Sequence, residues 1–179
     1  TGARSLRYDN STFAAFDVFI LKRDGARNSY DLETLDRADR IFRGLSDFEI
    51  DQVTRTLTAG LPGSPGGSGN LNLFRDKLEE FSRFDKDSYR RNLKWFLERV
   101  LPVAEELGIK LGIHPDDPPR PLLGLPRIVS TPDDIRWIFE AVPSSSNGLT
   151  LCVGTFGVRS DNNLPEMAKQ FGDKIFFAH

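Results

Sequence analysis

The sequence has few residues of the kinds that would place it in a special class of protein. It has a single cysteine, Cys152, so it cannot form an internal disulfide, and this indicates a reducing compartment such as the cytoplasm. Its net charge of -2 gives neither the basic surface of a nucleic-acid-binding protein nor the polybasic patch of a membrane-surface protein. No apolar run approaches the ~20 residues that span a bilayer, and the first residues lack the apolar core of a signal peptide. We therefore expect a cytoplasmic protein that binds neither nucleic acid nor a membrane.

The overall composition is that of a chain that can bury a hydrophobic core. Of its 179 residues, 39% are hydrophobic and 28% are charged. The chain begins at Thr1 rather than at a methionine, and it ends on IFFAH, which has the pattern of a strand. These two ends predict that the sequence is a piece of a longer protein.

The first 107 residues have the periodicity of helices. Apolar residues recur at helical spacing in four segments: 8–22, 31–45, 71–84 and 87–108. A strand is the alternative for FDVFILK at 16–22. A further helix is predicted after Ser46, because Glu49 follows three residues later in the spacing of a capping box.

Two features interrupt this helical region. Pro102 lies inside the last predicted helix and should kink or break it. The segment LPGSPGGSGN at 61–70 contains four glycines and predicts a flexible surface loop.

From residue 108 the pattern changes to short apolar runs that alternate with helices. Three runs have the length of buried strands: IKLGIH (109–114), GLTLCVG (148–154) and KIFFAH (174–179). Helices are predicted between them at 131–142 and 163–172. Strands that alternate with helices over short links favour parallel pairing. We therefore predict a βαβαβ segment over residues 108–179 of one α/β domain that extends over residues 1–179.

The only two histidines and the only cysteine fall at or near the carboxyl ends of these strands. His114 closes the first strand, Cys152 lies late in the second, and His179 closes the third. In parallel α/β structures the chemistry lies at this edge of the sheet. Each residue alone has a simpler interpretation, since a lone cysteine is usually a buried small hydrophobe and a strand-end histidine an ordinary polar residue. Because all three fall at one edge, we predict a metal site.

The proline-rich loop HPDDPPRPLLGLPRIVS at 114–130 follows the first strand. Its prolines restrict the backbone, so the loop loses little entropy when it is ordered. We predict that Asp116 and Arg120 bind a ligand, and Arg120 with Arg127 could pair with a carboxylate. The alternative is that the acids make hydrogen bonds within turns and the arginines face solvent.

These segments also carry a family resemblance. GIHPDDPPRPLLGLPRIVST and NGLTLCVGTFGVRSDNNLPEMAKQFGDKIFFAH resemble the mannonate dehydratase family of the bacterial hexuronate pathway. The earlier segments FDVFILKR and TRTLTAGLPG resemble the same family, so the likeness extends through nearly the whole chain.

The resemblance implies a TIM barrel, related to the xylose-isomerase-like barrels, that dehydrates D-mannonate to 2-keto-3-deoxy-D-gluconate with Mn²⁺ or Fe²⁺. It implies that His114, Cys152 and His179 are metal ligands. A further acidic ligand, and the histidine and tyrosine that move protons, are expected beyond residue 179. Since a TIM barrel has eight strands and ~250 residues, this chain would be a partial (β/α)8 barrel with a helical insertion in its N-terminal half.

Three functions remain open from the sequence. The first is metal-dependent dehydration of a small sugar acid, with little or no activity expected from residues 1–179 alone. The second is a sugar isomerase or epimerase on a similar barrel, because metal-stabilised enediolates serve both reactions. The third is a non-catalytic truncated chain. The protein could also form a homo-oligomer.

Overall fold

The computed structural model describes residues 8–59 and 70–179. The chain divides into two compact units, Thr1–Arg83 and Phe84–His179. The predicted flexible loop lies outside the described residues, apart from Asn70. The prediction that the whole chain belongs to one partial barrel domain stays a prediction.

The regular secondary structure in the described part of the first unit is all helical. Its α-helices are α1 (Asn10–Ala15), α2 (Leu32–Gly44), α3 (Asp47–Ala59) and α4 (Leu71–Ser82). A π-helical turn at Phe16–Ile20 continues α1, so the predicted helix at 8–22 is confirmed and the strand alternative is wrong. Glu49 accepts a hydrogen bond from the Ser46 amide at 2.9 Å, which confirms the predicted capping box at the start of α3.

A buried ion pair links the π-helical turn to the segment that follows it. The Asp17 carboxylate is fully buried and accepts two hydrogen bonds from the Arg23 guanidinium, at 2.9 and 2.6 Å. The Tyr30 hydroxyl donates a third hydrogen bond at 2.9 Å. Burial and the charge of Asp17 raise the pKa of Tyr30, so its hydroxyl remains a proton donor. All of these polar groups are satisfied, and we assign them to the stability of the unit.

The second unit is a small parallel sheet covered by helices. Its helices are α5 (Lys86–Glu106), α6 (Pro132–Ala141), α7 (Val153–Phe156) and α8 (Leu164–Phe171), and its strands are β1 (Leu111–Ile113), β2 (Asn147–Leu151) and β3 (Ile175–Ala178). The strands lie in the order β1-β2-β3 and both pairs are parallel. The predicted mixed α/β chain with a parallel sheet is confirmed. Helix α5 extends through Pro102, which does not break it.

One face of the sheet is covered by the helices. Ile113, Leu149 and Ile175 lie at paired positions of the three strands and pack into two apolar clusters with residues of α5, α6 and α8. Side chains alternate along a strand, so His114 and Cys152, one residue beyond Ile113 and Leu151, lie on the opposite face. No helix in the described parts of the chain combines the length and apolarity needed to cross a bilayer.

Gly148 allows the close approach of β3, and its replacement tests this packing. A Cβ at position 148 would lie 2.3 Å from the Phe176 ring and 2.6 Å from the Lys174 carbonyl oxygen. Since that backbone oxygen cannot move aside without shifting the sheet, Gly148→Ala is expected to lower the free energy of unfolding by about 2 kcal/mol. Urea denaturation measures the change. Gly172→Ala is the control, because a Cβ there meets no atom within 4 Å. Equal midpoints for the two variants would contradict the prediction.

Candidate metal centre

The three predicted ligands come together at the carboxyl end of the sheet. His114, Cys152 and His179 each follow directly after one of the three strands. One ligand atom from each side chain can be chosen so that all three lie within 4.8 Å of one another. The Cys152 Sγ and the His179 Nδ1 are 3.8 Å apart. The convergence expected from the strand ends is therefore present in the structure.

An irregularity of β3 places His179 on the same face as the other two side chains. Leu149 pairs with Ile175, but the next residue, Thr150, pairs with Phe177, so Phe176 is an extra residue in β3. In a regular strand, with Phe176 paired to Thr150, the alternation of side chains would direct His179 to the helix-covered face, away from Cys152. The hydrogen bond from the His179 amide to the Leu151 carbonyl, at 3.2 Å, then fixes His179 beside the end of β2.

The thiol of Cys152 is held by the first turn of α7. Its Sγ accepts a hydrogen bond from the Thr155 amide at 3.4 Å and lies 3.2 Å from the Thr155 hydroxyl. The residue is buried, with 6% of its surface exposed. The sulfur is therefore fixed in position, and the hydroxyl of Thr155 can accept from the thiol or donate to the thiolate.

The two imidazole rings lie almost parallel, with their centroids 5.4 Å apart and an angle of 22° between the planes. The Nδ1 of His114 is 2.8 Å from the Pro115 carbonyl oxygen. A carbonyl can only accept, so this hydrogen bond requires a proton on Nδ1 and leaves the lone pair on Nε2 available. A backbone carbonyl commonly orients a metal-binding histidine in this way.

These residues fit a divalent transition-metal ion. Ligand atoms bound to one ion at about 2.0–2.3 Å lie no more than roughly 4.5 Å apart, so small side-chain movements would bring the three atoms to a common ion. Two imidazoles and a thiolate are suitable donors for such an ion and leave coordination positions for water or substrate oxygens. That the three residues bind a metal stays a prediction.

Asp116 forms hydrogen bonds that connect the two ends of the proline-rich loop. Its Oδ2 accepts hydrogen bonds from the Ile128 and Val129 amides at 2.9 and 2.7 Å, and its own amide donates to the Val129 carbonyl at 2.9 Å. Its Oδ1 lies 3.5 Å from the Arg127 guanidinium. These hydrogen bonds join the two ends of the loop, which are 12 and 13 residues apart in the chain. Binding of a ligand by Asp116 or by the half-buried Arg120 stays a prediction.

Comparison with known proteins decides the family. The sequence model of D-mannonate dehydratase (UxuA) matches residues 1–179. The chain belongs to the D-mannonate dehydratase family. The resemblance seen in the sequence is thereby confirmed over the whole chain.

Individual D-mannonate dehydratases give the same result. The mannonate dehydratase of Marinomonas sp. (strain MWYL1) is 49% identical over 99% of this chain, and that of Brucella canis (strain ATCC 23365 / NCTC 10854 / RM-666) is 48% identical over 100%. This chain spans 45% of the length of each of them. The crystal structure of mannonate dehydratase from Streptococcus suis serotype2 aligns with a TM-score of 0.55 and 33% identity, over 57% of this chain and 30% of that one.

Three residues of this family member contact the site or its loops and were not found from the sequence. Thr155 holds the sulfur of Cys152, and the cap spacing C-x-x-T was the signal that could have revealed it. Arg159 and Asn162 contact carbonyl oxygens of the proline-rich loop, 40 and 32 residues away in the chain. No local pattern marks contacts at such a separation.

Proposed function

We propose that this chain is part of an enzyme of hexuronate catabolism that dehydrates D-mannonate to 2-keto-3-deoxy-D-gluconate with Mn²⁺ or Fe²⁺. We further propose that it forms part of a TIM barrel with a helical insertion in its N-terminal half. Membership of the D-mannonate dehydratase family supports the reaction. The single observation that supports the metal site is that the donor atoms of His114, Cys152 and His179 lie within 4.8 Å of one another.

The reaction removes a weakly acidic proton beside a carboxylate and expels the neighbouring hydroxyl. A divalent ion in this site would act as a Lewis acid that stabilises the negative charge developing on the substrate. The ligands are held in position beforehand, His114 by the Pro115 carbonyl and Cys152 by the Thr155 amide. Such preorganisation means that little rearrangement is needed when charge develops.

The proline-rich loop supplies the proposed contacts to the sugar acid. A guanidinium pairs well with a carboxylate, so Arg120 is the stronger candidate for binding the acid group. Asp116 would contact a sugar hydroxyl through Oδ1, because its Oδ2 already accepts two backbone amides. The general acid and base are proposed to lie outside residues 1–179, in the part of the protein that the longer relatives possess.

The test is product analysis with the full-length protein, stripped of metal and then supplied with Mn²⁺ or Fe²⁺. We expect metal-dependent loss of one water from D-mannonate to give a 2-keto-3-deoxy acid, detected by mass spectrometry. Residues 1–179 alone are expected to show little or no turnover. A product of unchanged mass would instead support an isomerase or epimerase. Turnover by residues 1–179 alone would show that the proton-transfer groups lie within this chain.

A further inference from the structure

Arg159 lies in the segment between α7 and α8, residues 157–163, and reaches the proline-rich loop. Its Nη1 donates a hydrogen bond to the Pro119 carbonyl at 2.9 Å. The other side of its guanidinium pairs with Asp161, the Nε donating to Oδ1 at 3.0 Å and the Nη2 to Oδ2. Asp161 therefore orients the guanidinium so that one remaining N–H points at the loop.

Asn162 holds the same loop at its far end. Its Nδ2 donates to the Ser130 carbonyl at 3.1 Å and to the Phe156 carbonyl, at the end of α7, at 3.0 Å. One short segment thus binds the proline-rich loop at two points, Pro119 and Ser130. Both contacts are made by side-chain donors to backbone oxygens, and neither contributes to the apolar core.

These contacts join the two loops that leave the metal-binding edge of the sheet. The proline-rich loop begins at His114, and the other begins at Cys152 and passes through α7 to Arg159 and Asn162. Arg120, the proposed contact for the substrate carboxylate, is the residue directly after Pro119. The hydrogen bond from Arg159 to Pro119 therefore fixes the backbone next to that guanidinium.

We propose that Arg159 and Asn162 are positioning residues that hold the proline-rich loop at a fixed place relative to the metal ligands and so determine the affinity for the sugar acid. This inference rests on the proposed function. Neither residue needs to contact the substrate, since each acts through the loop. Their loss should weaken substrate binding uniformly in the ground state and the transition state, which raises KM and leaves kcat nearly unchanged.

The test replaces Arg159 by glutamine in the full-length, metal-loaded protein. Arg159→Gln is expected to raise the KM for D-mannonate about 10-fold, equivalent to about 1.4 kcal/mol of binding. It should change kcat by less than about 3-fold, because the lost binding is the same in the ground state and the transition state. The metal content and the melting temperature should match those of the unchanged protein. Arg159→Lys should recover part of the loss, since an ammonium can still donate to the Pro119 carbonyl. Arg136→Gln is the control, because Arg136 lies in α6, outside both loops, and pairs with the exposed Asp133.

Hydrogen exchange of residues 115–130 supplies a readout that does not depend on turnover. Arg159→Gln and Asn162→Ala are expected to speed amide exchange in this loop, and Arg136→Gln is not. Unchanged exchange would overturn the proposed contact, and faster exchange with an unchanged KM would overturn its role in substrate binding. If the unchanged protein fails to convert D-mannonate while the loop exchange still responds, the proposed function fails and the role of Arg159 in holding the loop stands.

Discussion

In the full-length protein, replacing His179 by alanine is expected to lower the affinity for Mn²⁺ by about 100-fold or more and to abolish metal-dependent turnover. Loss even of a group that only supports a ligand commonly costs 10–100-fold in metal affinity, so loss of a ligand should cost at least as much. Of the three ligands proposed within residues 1–179, only His114 and Cys152 would remain, so the ion would lose one of its protein donors. Titration calorimetry with the metal-free protein measures the affinity, and metal analysis measures the ion content per chain.

A control substitution must leave the three proposed metal ligands intact, so neither of the two histidines can be replaced in it. Gln170→Ala, on the exposed surface of α8, is suitable and should bind metal as the unchanged protein does. Cys152→Ser should weaken Fe²⁺ more than Mn²⁺, because a thiolate favours the softer ion. Full affinity and one ion per chain in the His179 variant would show that this histidine is not a ligand.

Asp134→Ala is expected to lower the free energy of unfolding by about 3 kcal/mol. The carboxylate is buried at the start of α6, where its Oδ1 pairs with Lys86 at 2.7 Å and Arg90 at 2.9 Å. Its Oδ2 accepts from the Ser130 amide at 3.2 Å and the Thr131 hydroxyl at 3.0 Å. Removing one member of a buried ion pair leaves the others without their partner, which costs about 3–5 kcal/mol, and we take the lower value because Lys86 is half exposed.

The neighbouring acid provides a matched control. Asp133 also pairs with an arginine, Arg136, but its side chain is 82% exposed. Asp133→Ala should therefore change the stability by less than about 0.5 kcal/mol. Urea unfolding of the two alanine variants compares a buried and an exposed ion pair at adjacent positions. Similar losses in both would contradict the importance of burial.

The contribution of Asp134 should also depend on pH. Burial alone would raise the pKa of this carboxyl group, but the hydrogen bond and charge of Lys86, the Ser130 amide and Arg90 together hold it below its ordinary value. Because the pKa of Asp134 is lower in the folded state, the ionised carboxylate stabilises the fold at pH values above ~3.9, the pKa of the group in the unfolded chain. This stabilisation is lost as the pH falls through the folded-state pKa. The difference in stability between the unchanged protein and Asp134→Asn should therefore shrink when the pH is lowered from about 6 to below 4.

The sequence was sufficient for features that depend on local pattern. The periodicity of apolar residues located the helices, and the short apolar runs located the three strands, because both reflect which residues face a core. The strand ends predicted that His114, Cys152 and His179 would lie close together, since parallel strands end at one edge. The α/β class followed from the alternation of these elements.

Features that depend on contacts between distant segments could not be predicted in this way. The sequence contains no sign that Phe176 would be an extra residue in β3, although the position of His179 depends on it. Two of the four partners of Asp134, Lys86 and Arg90, lie in α5, more than 40 residues away. The loop oxygens that Arg159 and Asn162 bind are 40 and 32 residues away. Such pairs are determined by the packing of the unit rather than by any spacing along the chain.

The order of the three strands suits the lengths of the side chains that follow them at the carboxyl end of the sheet. Adjacent strands run about 4.8 Å apart, so the backbones of β1 and β3 are separated by about twice that distance. Cysteine, the shortest of the three side chains, follows the middle strand, and the longer imidazoles follow the two outer strands and can reach inward across it. If the cysteine were exchanged with either histidine, the protein would keep the same chemical groups. The short thiol would then follow an outer strand and could not reach the donor atom from the opposite outer strand.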